Sequence, residues 1–483
     1  MLIYLVLLIN AFCAVVPWLT RRHQAMGAVN IAGHLAAFVL VLVQIAVLGA
    51  PGRLDSYFCA DALSLFFIFT IATVNLAAAL YSKDYIAGEV GEGLIGEGTA
   101  KLYYSLFNIF TLSMFLVTLV ENLGLMWVCV EMTTLASAFL VGFHTTKKAI
   151  EAAWKYVIIC SVGLVLALIG VILFYYALNT GTGAKTLNWH DMLLHAGNLD
   201  PHIVKIAFIF ILVGYGTKAG LAPMHSWLPD AHSQALTPIS ALLSCVLLKT
   251  SVYAILRFMV ITNKAVGVSY AADLALLFGI ISLGVSAAFI LVQKDIKRLL
   301  AYSSVEHIGI IFVGIGIAGP AGTFGALYHV FNHAVTKALM FFAAGSVAKK
   351  YGTHNMRNIR GVIAAMPFTG TFLLFGVFAL GGLPPFSIFM SELTILSGAF
   401  VQGRYLISGL FMFFLAVIFG ALVHHFSGIL FEKKPKEIAA ESEPMATKTA
   451  FIMLGGFMLA LGLGIPAFMV KLLHAAVNIL TGI

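Results

Sequence analysis

Apolar residues fill this 483-residue chain in blocks of roughly 20, separated by short polar stretches. A helix rising about 1.5 Å per residue needs about that many to cross a hydrocarbon layer about 30 Å thick. The pattern therefore predicts fourteen membrane-spanning helices, an all-α fold. The first six lie near residues 1–19, 26–50, 60–82, 102–120, 122–143 and 150–178. The next four lie near 202–229, 235–262, 268–292 and 297–319, and the last four near 322–347, 363–400, 403–430 and 448–470. The first block has no basic start and is followed by Arg21 and Arg22, the reverse of a signal peptide, so it is expected to stay as a helix.

Two blocks are broken from within. The seventh carries Lys218 and then stops at Gly220 and Pro223, and the twelfth is interrupted at Gly382, Pro384 and Pro385. Proline lacks an N–H and clashes with the preceding turn, so each break leaves backbone groups that hydrocarbon cannot satisfy and that must face protein or water. Gly220-Leu221-Ala222-Pro223 is echoed by Gly382-Leu383-Pro384-Pro385. Two such interruptions at matching places in two halves point to an ion path through a transporter. Lys218 strengthens that reading, because an ammonium at bilayer depth costs roughly 2.5–3.5 kcal/mol even on insertion scales.

Charge supports the helix count. With fourteen spans, the odd-numbered loops hold 17 Lys and Arg, against 6 in the even loops and the C-terminal tail. The positive-inside rule then puts the odd loops in the cytoplasm and both termini outside, in a cytoplasmic (inner) membrane. The composition, 61% hydrophobic and 10% charged, excludes a soluble enzyme, and the net charge of +8 is scattered through short loops with no nucleic-acid motif. Cys13, Cys59, Cys129, Cys160 and Cys245 show no metal-ligand spacing, so no iron–sulfur or zinc site is expected. The polar segments between spans are too short to fold as domains.

Ionisable residues inside the blocks are the candidate chemistry. Glu131 and Lys218 are placed deepest; Lys155, Lys249, Arg257, Glu306 and Glu392 lie within or at the edges of spans, as do Asp61, Glu121 and Asp230. Arg257 and Lys155 are near enough to helix ends to snorkel. His329, His333 and Lys337 recur every four residues, one stripe about 12 Å long on a single helix, the arrangement of a proton relay. His225, His232 and His307 are further candidates, because a neutral imidazole can pass protons near physiological pH. Singly, each histidine is equally a satisfied interior residue.

The run GTKAGLAPMHSWLPDAHSQALTP, followed by QKDIKRLLAYSSVEHIG and NHAVTKALMFFAAG, resembles the antiporter-like membrane subunits of complex I, membrane-bound hydrogenases and Mrp antiporters. The SSVEHIG wording and the chain length look most like the hydrogenase-4 component F type, or its formate hydrogenlyase counterpart. The resemblance implies two inverted five-helix repeats, residues 102–263 and 264–430, each with a broken helix, between a three-helix segment 1–101 and a last loop and helix 431–483. It also implies a proton path through Glu131, Lys218, Lys249, His329, His333, Lys337 and Glu392; charge physics adds a switch, since moving Glu131 toward or away from Lys218 changes their interaction by about 4 kcal/mol at about 4 Å and an effective dielectric near 20. Lys155 resembles a sixth-helix position in the family. The C-terminal lateral helix of one complex I type is expected to be absent.

On this reading the chain holds no catalytic residue, metal or cofactor. Iron–sulfur clusters and other redox centres are expected in a peripheral arm, joined through other integral membrane subunits. Three alternatives remain at this level: a sodium/proton antiporter subunit of Mrp type, a quinone- or cluster-bearing subunit, and a structural anchor for a peripheral oxidoreductase. Too few clustered acids disfavour the first, and buried charges are superfluous in the last.

Overall fold

A computed structural model describes residues 2–436, 438–439 and 442–482. The chain is built almost wholly from helices, with one two-stranded ribbon, Gly52–Arg53 against Cys59–Ala60. The spans are α1 Leu2–Leu19, α2 His23–Leu48, α3 Ala62–Gly91, α4 Glu97–Leu119, α5 Leu123–Val141, α6 Lys147–Thr182 and α7 Pro201–Ala219. They continue as α8 Thr237–Val266, α9 Val268–Val292 and α10 Ile296–Gly316. Next come α11 Pro320–Tyr351 and the two-part α12, Pro367–Leu380 and Ser387–Val401. The last are α13 Tyr405–Phe431 and α14 Met445–Leu463. Twelve of these are long and apolar enough to cross a membrane by themselves. The other two, α11 and α12, are the polar helix and a broken one, which is why hydropathy alone undervalues them.

The end of the chain departs from expectation. The last span stops at Leu463 rather than near residue 470, and after Gly464–Pro466 a further helix, α15 Ala467–Thr481, follows. Pro466 has no N–H with which to continue α14. The new helix buries Met469, Leu472, Leu473, Ala476 and Val477 against the bundle, with Phe468 packed edge-on to Phe69 of α3.

Helices α3, α8, α10 and α11 are buried along nearly their whole length and form the axis of the bundle. α1, α2, α6 and α13 turn wide apolar faces outward. Glycines set the closest contacts, as expected where lipid gives helices no hydrophobic reason to associate. A Cβ at Gly170 of α6 would come within 2.9 Å of the Ala207 carbonyl oxygen on α7. A Cβ at Gly279 of α9 would lie 2.8 Å from the Val313 N and 2.9 Å from the Gly309 oxygen on α10.

The two breaks share one backbone design. Gly220 and Gly382 have φ of 80° and 66°, and the bonds Ala222–Pro223 and Pro384–Pro385 are both cis. After α7, Gly220 N–H returns to the Thr217 carbonyl and Leu221 N–H to that of Gly216; after the first half of α12, Gly382 returns to Ala379 and Leu383 to Phe378. The left-handed glycine at the end of each half-helix lets the last carbonyls find donors without water. Beyond the first break a short helix, Leu228–Gln234, completes the seventh span.

Replacing Gly279 with Leu should wedge α9 from α10. We expect a loss of about 1–3 kcal/mol, the usual cost of overpacking, seen as a lower unfolding midpoint for the detergent-solubilised protein.

Candidate functional site

Lys218 occupies the last turn of α7, where the partial negative charge of a helix C-terminus favours an ammonium. Its Nζ is fully buried and donates to the Val130 carbonyl oxygen at 2.7 Å and to the Thr134 hydroxyl, both on α5. Glu131 stands on the same turn of α5, yet its Oε1 accepts from the Ser161 hydroxyl of α6 at 2.8 Å. The two charges expected to pair are thus neighbours whose pair is open. Glu131, read from the sequence as one of the two deepest charges, is only partly buried, because it sits on the α5 face turned toward α6 rather than toward the axis.

The second lysine depends on a distortion of its own helix. Residues Leu243–Leu247 of α8 form a π turn, an irregularity that recurs at functional sites. Lys249 Nζ donates to the Ser244 carbonyl oxygen within that turn at 2.6 Å. The Ser244 and Ser304 hydroxyls meet at 2.7 Å, Ser304 donates to the Leu300 carbonyl at 3.0 Å, and Lys337 Nζ donates to the same carbonyl at 2.7 Å. Lys249, Ser244, Ser304 and Lys337 are therefore bridged across α8, α10 and α11.

From Lys337 the polar line continues toward α12. Glu306 is buried on α10, in the turn that precedes His307. One turn from Lys337, His333 stacks on His307 of α10 with ring centroids 4.5 Å apart. His307 Nδ1 lies 3.0 Å from His329 Nε2, and His329 Nδ1 lies 2.9 Å from the Ser391 hydroxyl on α12. Glu392 is the next residue, its carboxylate lying against Gly382 in the break, where any Cβ would strike it. The sequence stripe is real geometry, but its histidines are joined through His307 of a different helix, which no periodicity could reveal. Several hydrogen-bonding atoms here have no partner among the described residues: Glu306 Oε2, His307 Nε2, both nitrogens of His333, Thr336 Oγ1 and Glu392 Oε1.

No direct hydrogen bond joins the Lys218 group to the Lys249 group among the described residues. Gly220 faces Leu228 and Leu248, so apolar side chains lie over the break on the side of Lys249. His232 is buried nearby, its Nδ1 3.1 Å from the Ser240 carbonyl and its ring stacked on Phe341. His225 packs against Phe289 and Tyr302 just beyond Pro223. Lys155 lies apart from the path: its side chain is 48% exposed and pairs with Glu151 at 2.6 Å and Asp230 at 3.3 Å.

Two features escaped the sequence reading. Lys297, the first residue of the tenth predicted span and counted among the 17 odd-loop charges, is buried in the first turn of α10 and donates to the Ala235 carbonyl at 2.9 Å. Arg257, which was near enough to a helix end to be interfacial, is buried and makes two 2.7 Å bonds to Asp61, with Tyr253 and Ser64 completing its donors. Asp61 also caps α3 by accepting from Ser64 N–H at 2.9 Å. Ser240, Ser244 and Ser251 around Lys249 and the pair Ser303–Ser304 were the signal for bridging hydroxyls; beside Lys218 and Lys337 the sequence offers only Thr217 and Thr336.

A helical bundle with ammonium, imidazole and carboxylate groups buried on successive helices defines a multi-pass integral membrane protein organised around a polar axis. The chain belongs to the NADH:quinone oxidoreductase/Mrp antiporter transmembrane family, whose profile matches residues 120–420. It is 41% identical over 349 residues to the hydrogenase-4 component F homolog of Methylacidiphilum infernorum, covering 72% of this chain and 73% of that one. It is 30% identical to hydrogenase-4 component B of Escherichia coli, over 86% of this chain and 63% of that longer protein. In fold it superposes on a chain of the archaeal membrane-bound sulfane sulfur reductase with TM-score 0.87 at 24% identity, covering 99% of this chain and 97% of the other. A chain of respiratory complex I from Thermus thermophilus gives 0.84 at 21% identity, covering 100% and 99%.

Asp61→Asn should leave the Arg257 guanidinium buried without a counter-ion. We expect a loss of about 3–5 kcal/mol, read as a lowered unfolding midpoint, and substantial recovery in the Asp61→Asn/Arg257→Met double variant.

Proposed function

We propose that this chain is the proton-conducting membrane subunit of a redox-driven complex of the hydrogenase-4 type, with its redox centres in partner subunits and its energy supplied through them. The observation that carries the reading is the way the buried lysines are held. Lys218, Lys249 and Lys337 each donate to a neutral main-chain carbonyl, and none makes an ion pair among the described residues. A carboxylate partner at about 4 Å would hold the proton by about 4 kcal/mol at an effective dielectric near 20, equivalent to roughly three pKa units. Carbonyl partners hold it less tightly than a directly paired carboxylate would.

Glu131 is the switch in this scheme. Drawn from Ser161 toward Lys218, its carboxylate favours the charged lysine; returned to Ser161, it favours release. The imidazoles of His333, His307 and His329 then offer hops toward Ser391 and Glu392, and their free hydrogen-bonding atoms suit bridging water. The matched glycine caps at Gly220 and Gly382 support two repeats, 102–263 and 264–430. The loop charges support an inner-membrane location with both termini outside. A sodium path is less well supported: the path's carboxylates, Glu131, Glu306 and Glu392, sit on three different helices, whereas a hard cation needs converging oxygens.

Lys249→Ala should leave dye-linked redox turnover of the purified complex intact and cut proton uptake into proteoliposomes by about a hundredfold, the order contributed by a positioned proton-transfer group. Uptake at the normal rate, or uptake that requires sodium, would sink the proposal.

A further inference from the structure

Away from the lysine path, three loops converge at the end of the bundle that carries Asp61 and Arg257. The segment before α3 brings Cys59, the α4–α5 link brings Glu121, and the short helix Trp189–Leu194 brings His190. Their ligand atoms all lie within 4.8 Å of one another. Main-chain bonds hold the three loops in register: Glu121 N–H donates to the Tyr57 carbonyl at 2.8 Å, Trp189 N–H to the Glu121 carbonyl at 3.0 Å, and Leu123 N–H to that of Leu187 at 2.9 Å. Asp55 accepts from Tyr57 and Phe58 N–H, fixing the turn that delivers Cys59.

Glu121 stands at the centre of this cluster. It is 2% exposed, and neither carboxylate oxygen receives an aligned hydrogen bond. Oε1 lies 3.3 Å from His190 Nδ1 and Oε2 lies 3.3 Å from Arg53 Nε, both out of hydrogen-bonding line. Arg257 is committed to Asp61 and to the face of Trp189, 4.5 Å from its ring centroid, so it does not serve Glu121. Arg53 faces Oε2 alone, from a side chain that is 46% exposed, so Oε1 and the His190 ring remain open to a further cation.

We propose that Cys59, Glu121 and His190 form a binding site for a borderline-soft divalent ion of the Zn²⁺ class. Tetrahedral zinc with bonds of about 2.0–2.2 Å to nitrogen and oxygen holds those two ligands on the order of 3.3 Å apart, the separation already present between His190 Nδ1 and Glu121 Oε1. Thiolate plus imidazole selects zinc over calcium or magnesium. Glu121 ligates through Oε1 while Oε2 keeps Arg53, an outer partner that orients the carboxylate. Thiolate and carboxylate together cancel the ion's charge, so the filled site is neutral. His190 is 38% exposed and gives access from water, leaving the fourth position for solvent. Residues 59, 121 and 190 lie too far apart in sequence for any spacing rule, which is why the cysteines read as metal-free. The second clustering of possible ligands, His307, His329 and Glu392, belongs to the lysine path and is wholly buried.

The test is titration of ZnCl2 into the chelator-washed complex, followed by competition with a chromophoric zinc indicator. One equivalent should bind that Cys59→Ser and His190→Gln each weaken by at least roughly a hundredfold, since losing a direct ligand costs no less than losing an outer-shell partner. Cys13→Ser should change nothing. A second probe, Co²⁺, should give a sulfur-to-metal charge-transfer band in the unsubstituted complex that is missing from the Cys59→Ser difference spectrum. Should Cys59→Ser fail to assemble, the band in the unsubstituted complex must vanish when Zn²⁺ is added. Zinc binding untouched by both substitutions would mean an adventitious ion only, and with it, or with absence of the cobalt band, the assignment falls.

Discussion

The structure depends on how a positive charge is kept inside a membrane. Four buried lysines, Lys218, Lys249, Lys297 and Lys337, are each satisfied by a main-chain carbonyl on a neighbouring element or on an irregular turn of the same one. Arg257 is handled in the opposite way, by a two-bond carboxylate pair and two hydroxyl groups. The difference matches the chemistry of the side chains. A guanidinium keeps its proton at any relevant pH and can only be compensated; an ammonium can shed its proton when its partner is neutral. The bundle thus contains one locked charge and several unlocked ones.

That division explains the placement of the helical irregularities. A regular helix spends every carbonyl on its own N–H groups, so an ammonium approaching it must share. At Leu243–Leu247 the π turn alters the hydrogen-bond ladder where Lys249 needs an acceptor. At Val130 and Leu300, which lie in regular α-helix, Thr133 and Ser304 hydroxyls share the same carbonyls as Lys218 and Lys337. Hydroxyls and ammoniums therefore compete for few oxygens, and a small helix movement redistributes them. The glycine-lined contacts of α6 with α7 and of α9 with α10 bring backbones close enough for such movement to be felt across the bundle.

Much of this was legible in the sequence, for physical reasons. Fourteen spans follow from the length of apolar blocks, and both breaks follow from Gly-x-x-Pro in hydrocarbon, where unsatisfied backbone is intolerable. Lys218 declares itself through the cost of an ammonium at depth. What was hidden concerns groups brought together from distant positions: the bond of Arg257 to Asp61, the insertion of His307 between His329 and His333, and the convergence of Cys59, Glu121 and His190. Lys297 was misplaced because a loop boundary read from hydropathy cannot tell a first helical turn from the surface. Helix α15 was missed because its apolar face, Met469 to Val477, is periodic rather than continuous.

The open Glu131–Lys218 pair bears on the direction of transfer. With Glu131 on Ser161 and Lys218 on Val130, the two groups are held by different partners on the same patch of α5 and α6, so closing the pair requires only that Glu131 exchange one hydroxyl for an ammonium. Past Lys218 the route meets Leu228 and Leu248 at the Gly220 break, whereas past Lys249 it is hydroxyl, carbonyl and imidazole as far as Ser391. On the proposed path, the first broken helix is therefore one place where direct hydrogen bonding lapses. The groups from Lys249 to Lys337 are bridged by hydrogen bonds, and those from His333 to Ser391 by stacking and hydrogen bonds, whereas no direct hydrogen bond among the described residues joins Lys218 to Lys249. On the proposed path, Leu228 and Leu248 beside Gly220 are therefore where a movement of the first broken helix would act, apart from the bridged residues of α8, α10 and α11.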